Sequence, residues 1–208
     1  VTDDMPWLED FAGDTLDGFG SYDGIAFADL QFDDVVADNS KFLECRLSHV
    51  AFERGNLARS SFVDSLLTDV RLVSTSFAES QWRGTTVRTS LGAGVDLSGS
   101  TLRRVTFTEC KLESPNLRGA TLHEVVFERC TLNHLDLTDA TLTGCSFRGC
   151  TLHELDLTKA TLSKTDLRTS ELDIRHGHLS LAGATIDMGQ LLALAPGLAQ
   201  ELKINVKS

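Results

Sequence analysis

The sequence predicts an all-β fold, a parallel β-helix with four short faces per turn, closed by a short C-terminal α-helix. Three observations carry this. "ATLHEVVFERCTLNHLDLTD" (residues 120–139) is followed at once by "ATLTGCSFRGCTLHELDLTK" (140–159), with eleven of twenty positions identical. Inside each twenty lies a beat of five. The frame of five holds over 31 positions from Tyr22 to Leu172, and 26 of them are Leu or Phe. Self-similarity at a fixed period signals stacked units that share one continuous core.

A helix would show a period of 3.6 and an ordinary strand a period of 2, so neither gives five. Take the Leu or Phe of each pentad as its centre. The exceptions are Tyr22, Ala37, Trp82, Val87 and Gly92. The residue two places earlier is mostly small and never charged, as in Val105, Cys110, Pro115, Ala120 and Val125. Two of every five side chains therefore point inward and three outward. Four pentads make one turn, and turns stack at about the 4.8 Å spacing of paired strands. Nearly eight turns give a rod about 37 Å long at that spacing. Asn116, Asp136 and Asp156 form one column just before their centres, where short Asx side chains can bond local backbone.

Three segments follow. Residues 1–20 precede the repeats, and Trp7, Leu8 and Phe11 are expected to cover that end of the rod. Residues 21–178 are the β-helix. Its weak stretch is "TSLGAGVDL" (89–97), which with Trp82 predicts a looser middle and faster hydrogen exchange at 88–96 than at 120–160. A projecting loop a multiple of five long could hide there. Pro115 takes an inward slot and is expected to bend the rod or remove one ladder bond. Residues 179–208 begin with one last repeat-like unit and become helical. Leu191, Leu194, Ala195, Leu198 and Leu202 share one helix face, and Pro196 is expected to kink or divide the helix. That apolar face suggests a homodimer.

Charge is unevenly placed. The net charge is −11, yet residues 1–40 hold eleven acids and no Lys or Arg, while residues 41–208 hold nineteen of each sign. An acidic surface repels nucleic acid and attracts a basic groove. Asp23, Asp29, Asp33, Asp34 and Asp38 are the candidate partner-binding surface. The alternative is a merely solubilising start of the chain. No apolar stretch is long enough to span a bilayer, and residues 1–21 lack the basic start of a secretory signal. A cytoplasmic location and no membrane contact are expected.

Catalytic and metal chemistry is not expected. All five cysteines (Cys45, Cys110, Cys130, Cys145, Cys150) fall on the small inward position, as small buried hydrophobes rather than ligands. His123 and His153 precede Glu124 and Glu154, but no HExxH follows. His176 and His178 flank Gly177 with no third ligand nearby. No phosphate-binding glycine loop or nucleophile elbow occurs. The expectation is no enzyme, no cofactor and no metal.

The pentads "LDLTD" (135–139), "LDLTK" (155–159), "PNLRG" (115–119) and "TDLRT" (165–169) resemble the pentapeptide-repeat family, whose consensus is A(D/N)LXX. The resemblance covers about residues 20–174. It implies a right-handed quadrilateral parallel β-helix. With its helical tail the chain is similar to the quinolone-resistance members of the family. That similarity implies a homodimer through the C-terminal helix and a DNA-mimicking rod that binds DNA gyrase or topoisomerase IV. The chain departs from that group in its neutral 41–208, with Arg103, Arg104, Arg118, Arg129 and Arg148 on outer positions. A general interaction scaffold with another protein partner is the alternative reading.

Overall fold

In the computed structural model, which describes residues 7–207, the beat of five becomes a coil of twenty residues with four faces. Three faces are parallel sheets. The first runs in eight strands from Ser21–Asp23 to Thr161–Ser163. The second runs in ten strands from Glu9–Asp10 to Ala184–Thr185, and the third in eight from Gln31–Asp33 to Glu171–His176. Register follows the sequence copy, pairing Phe42 with Phe62, Phe107 with Phe127 and Leu112 with Leu132. The rod has about nine coils rather than nearly eight. Both ends account for the difference. Glu9–Asp10 pairs with the strand Ile25–Ala28, and Ala184–Thr185 with Thr165–Asp166.

The fourth face is built of turns, not strands. Single bridges link Asn56, Ser76, Asp96, Asn116, Asp136 and Asp156. Each of these side chains accepts a hydrogen bond from the amide two residues on, from Ala58 (3.1 Å) up to Thr158 (2.8 Å). The centre that follows accepts a bond from the amide three residues later, as in Ala120 to Leu117 at 3.1 Å. A short polar side chain thus fixes a turn where a strand would otherwise continue. The same turn already stands at Asp17–Gly20, where the Gly20 amide donates to the Asp17 carbonyl at 3.1 Å. The coil therefore begins before the first apolar centre.

Every corner residue from Gly24 to Thr169, two after its centre, has positive φ. Seven of the thirty are glycine, and the rest include Glu44, Arg54, Arg104 and Lys159. The left-handed conformation turns the chain within one residue. It also aims the corner amide at the next coil, as Arg104 does to the His123 carbonyl at 2.9 Å. The hydrogen bond offsets the backbone cost, about 1 kcal/mol for a residue with a Cβ.

Inside, like stacks on like. Tyr22, Phe42, Phe62 and Trp82 form a column with ring centroids 5.0, 4.6 and 4.2 Å apart. Phe107, Phe127 and Phe147 form another at 4.8 and 4.7 Å. The small inward slots carry the polar work. The Ser65 hydroxyl accepts from the Cys45 amide (3.1 Å) and faces the carbonyls of Val63 (2.9 Å) and Phe42 (3.4 Å). The cysteines sit in the same way, with the Cys130 Sγ 3.5 Å from the Phe107 carbonyl. Among the described residues no buried side-chain nitrogen or oxygen lacks a partner.

Two expected weak points are regular. Residues 89–97 keep the coil, with the strand Leu91–Ala93 paired on both sides, and no loop projects. Pro115 removes no ladder bond. The matching amides of Val95 and Leu135 donate to no backbone carbonyl. The ladder passes from Asn116 to Val95 at 2.9 Å and from Asp136 to Pro115 at 3.1 Å.

Candidate partner-binding surfaces

The five acids of the N-terminal coil do not share a face. Asp23 projects from the first sheet and Asp33 from the third. Asp29 and Asp34 stand on corners, and Asp38 lies on the turn face. The coil geometry spreads them into a ring around the N-terminal end of the rod. Asp3 and Asp4 lie outside the described residues, while Glu9 and Asp10 add to the ring from the strand before it.

The next coil neutralises part of this ring. Arg54 grips Asp34 with Nε–Oδ1 at 2.7 Å and Nη2–Oδ2 at 3.0 Å. That hydrogen-bonded guanidinium holds the Asp34 carboxyl below its ordinary value. Arg59 Nη2 meets Asp38 at 2.7 Å. The ring of His49 lies between Asp29 (3.8 Å) and Asp69 (3.7 Å). Asp33 accepts only from Gln31, and Asp23 makes no ion pair among the described residues. Asp23, Asp29 and Asp33 thus remain free of arginine.

At the other end, the helix α1 (Met188–Glu201) divides its apolar residues between two jobs. Leu194 is buried and Leu198 half-buried against the rod's own core. Leu191 and Leu202, with Met188, Leu192, Ile204 and Val206, stay exposed, as does Ala195. The helix is one element of fourteen residues that Pro196 does not divide. The missing Pro196 amide costs one bond in an outer turn.

Two polar side chains, not anticipated from the sequence, fasten this helix. Gln190 completes a capping box, accepting from the Asp187 amide and placing its own amide on the Asp187 carboxylate, both at 2.9 Å. Its Nε2 also donates to the carbonyls of Leu167 and Ser170, both at 2.7 Å. It therefore ends the rod's ladder and begins the helix. The Glu201 carboxylate accepts from the amides of Gly177 (3.1 Å), His178 (2.9 Å) and Leu179 (3.1 Å). Burial pushes this carboxyl up, but the His178 and Leu179 amides and the His178 ring outweigh it and hold it below its ordinary value. Gly177 has φ of 82°, and a Cβ there would lie 2.4 Å from the Leu157 carbonyl carbon. At the N-terminal end Phe11 covers the core, its ring 4.6 Å from that of Phe27, whereas Trp7 stays 56% exposed.

The enclosed space in the core is about 30 Å³, lined by apolar side chains such as Phe77, Trp82 and Phe107. That is far below the size of a substrate pocket. The open grooves on the faces, of about 270 to 400 Å³, are shallow. All five cysteines are buried and free, and burial pushes the Cys45 thiol up to about 11. His153 meets Asp173 at 2.6 Å, and His134 lies 3.1 Å from Glu154 and 3.6 Å from Glu113. No group of three or more His, Cys, Asp or Glu among the described residues is placed to hold a metal. No helix among them is long and apolar enough to cross a membrane.

Residues 100–176 match the family model described as "Pentapeptide repeat region". No curated protein matches the chain. Among solved structures, it is similar to a trypsin-treated variant of QnrB1, a plasmid-mediated fluoroquinolone resistance protein. Identity is 21% over 90% of this chain and 100% of that one, with a TM-score of 0.39. The pentapeptide-repeat protein Rfr23 from the cyanobacterium Cyanothece 51142 is 17% identical over 62% of this chain and 88% of its own, at a TM-score of 0.41. HetL from Nostoc sp. strain PCC 7120, involved in heterocyst differentiation regulation, is 19% identical over 86% and 94%, at 0.28. Residues 100–176 thus carry a pentapeptide-repeat region, and its coils share their frame, corners and ladder with every coil back to residue 22.

Proposed function

We propose that this chain is a cytoplasmic, non-enzymatic binding protein whose acidic end contacts a basic, nucleic-acid-binding groove of a protein partner. The observation that carries this reading is the segregation of charge. Eleven acids and no bases occupy residues 1–40, and the coil spreads five of them around one end of the rod. A rod end of this charge imitates a short length of phosphate backbone, and the neutral remainder does not. The partner class that the sequence resemblance implies is a type II topoisomerase, DNA gyrase or topoisomerase IV, modulated or protected from quinolone-like poisons. The exposed apolar side of α1 supports pairing of two rods into a homodimer. The protein binds no nucleic acid directly.

The test is gyrase supercoiling with purified protein, with and without a fluoroquinolone, at two salt concentrations. The expected result is inhibition alone or rescue from the drug, weakening as salt rises. Asp→Asn changes at Asp23, Asp29 and Asp33 are expected to weaken the effect more than changes at Asp34 and Asp38, which arginines already neutralise. No effect at micromolar protein overturns the topoisomerase reading. A scaffold for a different protein is the second reading, favoured by the pairing of two ring acids within the chain itself.

A further inference from the structure

We propose that Arg83, Arg103 and Arg104 form a binding site for a phosphoryl-type dianion on the first face of the rod. Arg83 and Arg103 are register partners on adjacent strands, so their side chains leave the same face about 4.8 Å apart. Arg104 follows at the corner, with φ of 53°. One coil earlier that corner is Gly84, where the Asp64 carboxylate takes the place a Cβ would occupy. The three arginines, with His123 and Glu124, line a surface concavity of about 390 Å³.

These arginines, like Arg46, Arg71 and Arg148, meet no carboxylate among the described residues, but they alone of that set line one concavity together. Arg54, Arg59, Arg118, Arg129, Arg168 and Arg175 each meet a carboxylate at 2.5–3.4 Å. Arg83, Arg103 and Arg104 meet none among the described residues. Glu124, the carboxylate at the site, is instead 3.8 Å from the His123 ring. In a chain of net charge −11, three arginines from two adjacent coils thus line one concavity with no carboxylate paired to them. An anion bound there would offset their like charges.

The geometry selects the anion. One guanidinium fork satisfies one carboxylate, as Arg54 does with Asp34. Three guanidiniums on two adjacent coils match the three terminal oxygens of one phosphoryl group. The ligand is free phosphate or the phosphoryl group of a larger molecule, and the two share this chemistry.

Titration of the full chain with inorganic phosphate, at constant ionic strength and read by the arginine Nε–Hε NMR signals, tests the proposal. Arg71, exposed on the third face and likewise without a carboxylate, is the control. Signals of Arg83, Arg103 and Arg104 are expected to move together and saturate, with half-saturation at or below about 1 mM. R103Q is expected to weaken binding at least tenfold and R71Q to leave it unchanged, each with an unaltered melting temperature. Parallel movement of Arg71, or failure to saturate with phosphate, a nucleoside monophosphate and a phosphoserine peptide alike, overturns the site. Tighter binding of either organic phosphate identifies a phosphorylated ligand, and tightest binding of inorganic phosphate identifies the free ion. Either result upholds the site.

Discussion

Trp82 and Gly92 face each other across one coil, the largest inward centre on the first face and the smallest on the third. Each coil encloses a limited volume, and the indole is accommodated because the opposite wall has no side chain. The indole Nε1 donates to Ser80 Oγ at 2.8 Å, so its polar edge is satisfied inside the rod. Leu112 and Val95 have closed over the glycine. A Cβ at Gly92 would lie 2.7 Å from Leu112 Cδ2 and 2.8 Å from Val95 Cγ2. What remains is the void of about 30 Å³.

This pairing predicts a non-additive double change. Trp82→Leu empties the centre of the coil and is expected to destabilise by about 3 kcal/mol. Gly92→Leu alone overpacks it and is expected to cost about 1–3 kcal/mol. Together they restore an ordinary coil, and the double variant should be more stable than either single one. Urea unfolding of the four proteins gives the coupling. A double variant as unstable as the sum of the two would mean that the residues do not compensate each other.

The corners make a second prediction, separable from packing. Gly119 has φ of 63°, and a Cβ there would meet nothing within 4 Å. Gly119→Ala is therefore expected to destabilise by about 1 kcal/mol through backbone conformation alone. An unchanged urea midpoint would show that the coil relaxes the strain at no cost.

The frame was readable because inward positions tolerate so few residue types, and a slip of one residue would expose every centre. The turn face was half readable. The Asx column at Asn116, Asp136 and Asp156 was visible, but its conversion of a strand into a turn depends on the amides two residues on. The corner conformation also left a trace. Gly, Asp, Asn and His, the residues that best tolerate positive φ, fill half of the thirty corners. The other half, such as Arg104 and Lys159, hid the rule. The helix pattern gave apolar residues without saying which would face the rod, so Leu194 and Leu191 read alike. The acids at 23–38 read as a patch because chain proximity suggested one. The coil turns them onto different faces and brings Arg54 and Arg59 beside two of them. Arg83 and Arg103 are twenty residues apart and meet only once the coil length is known.

Gln190 predicts how the rod end fails. Gln190→Leu leaves the carbonyls of Leu167 and Ser170 without their donor and breaks the capping box. The expected cost is about 2 kcal/mol. It should appear as faster hydrogen exchange in α1, while amides of the central coils keep their protection. Uniform loss of protection along the rod would mean that the helix is part of one cooperative unit with it.

Glu201 gives the end a pH dependence whose sign follows from its contacts. Its carboxyl titrates lower in the folded chain than in the unfolded one, because the amides and ring at 177–179 favour the charged form. Its stabilisation is therefore fully present above the unfolded value of about 4.3 and is lost as pH falls through the lower folded value. Glu201→Gln keeps the shape and removes the charge. At neutral pH it should loosen the junction between α1 and the turn His178–Leu181, read as faster exchange of the His178 and Leu179 amides. Below the folded value the wild-type and variant chains should behave alike at this junction. A variant that stays different from wild type in acid, or matches it at neutral pH, would show that the charge of Glu201 does not hold the helix down.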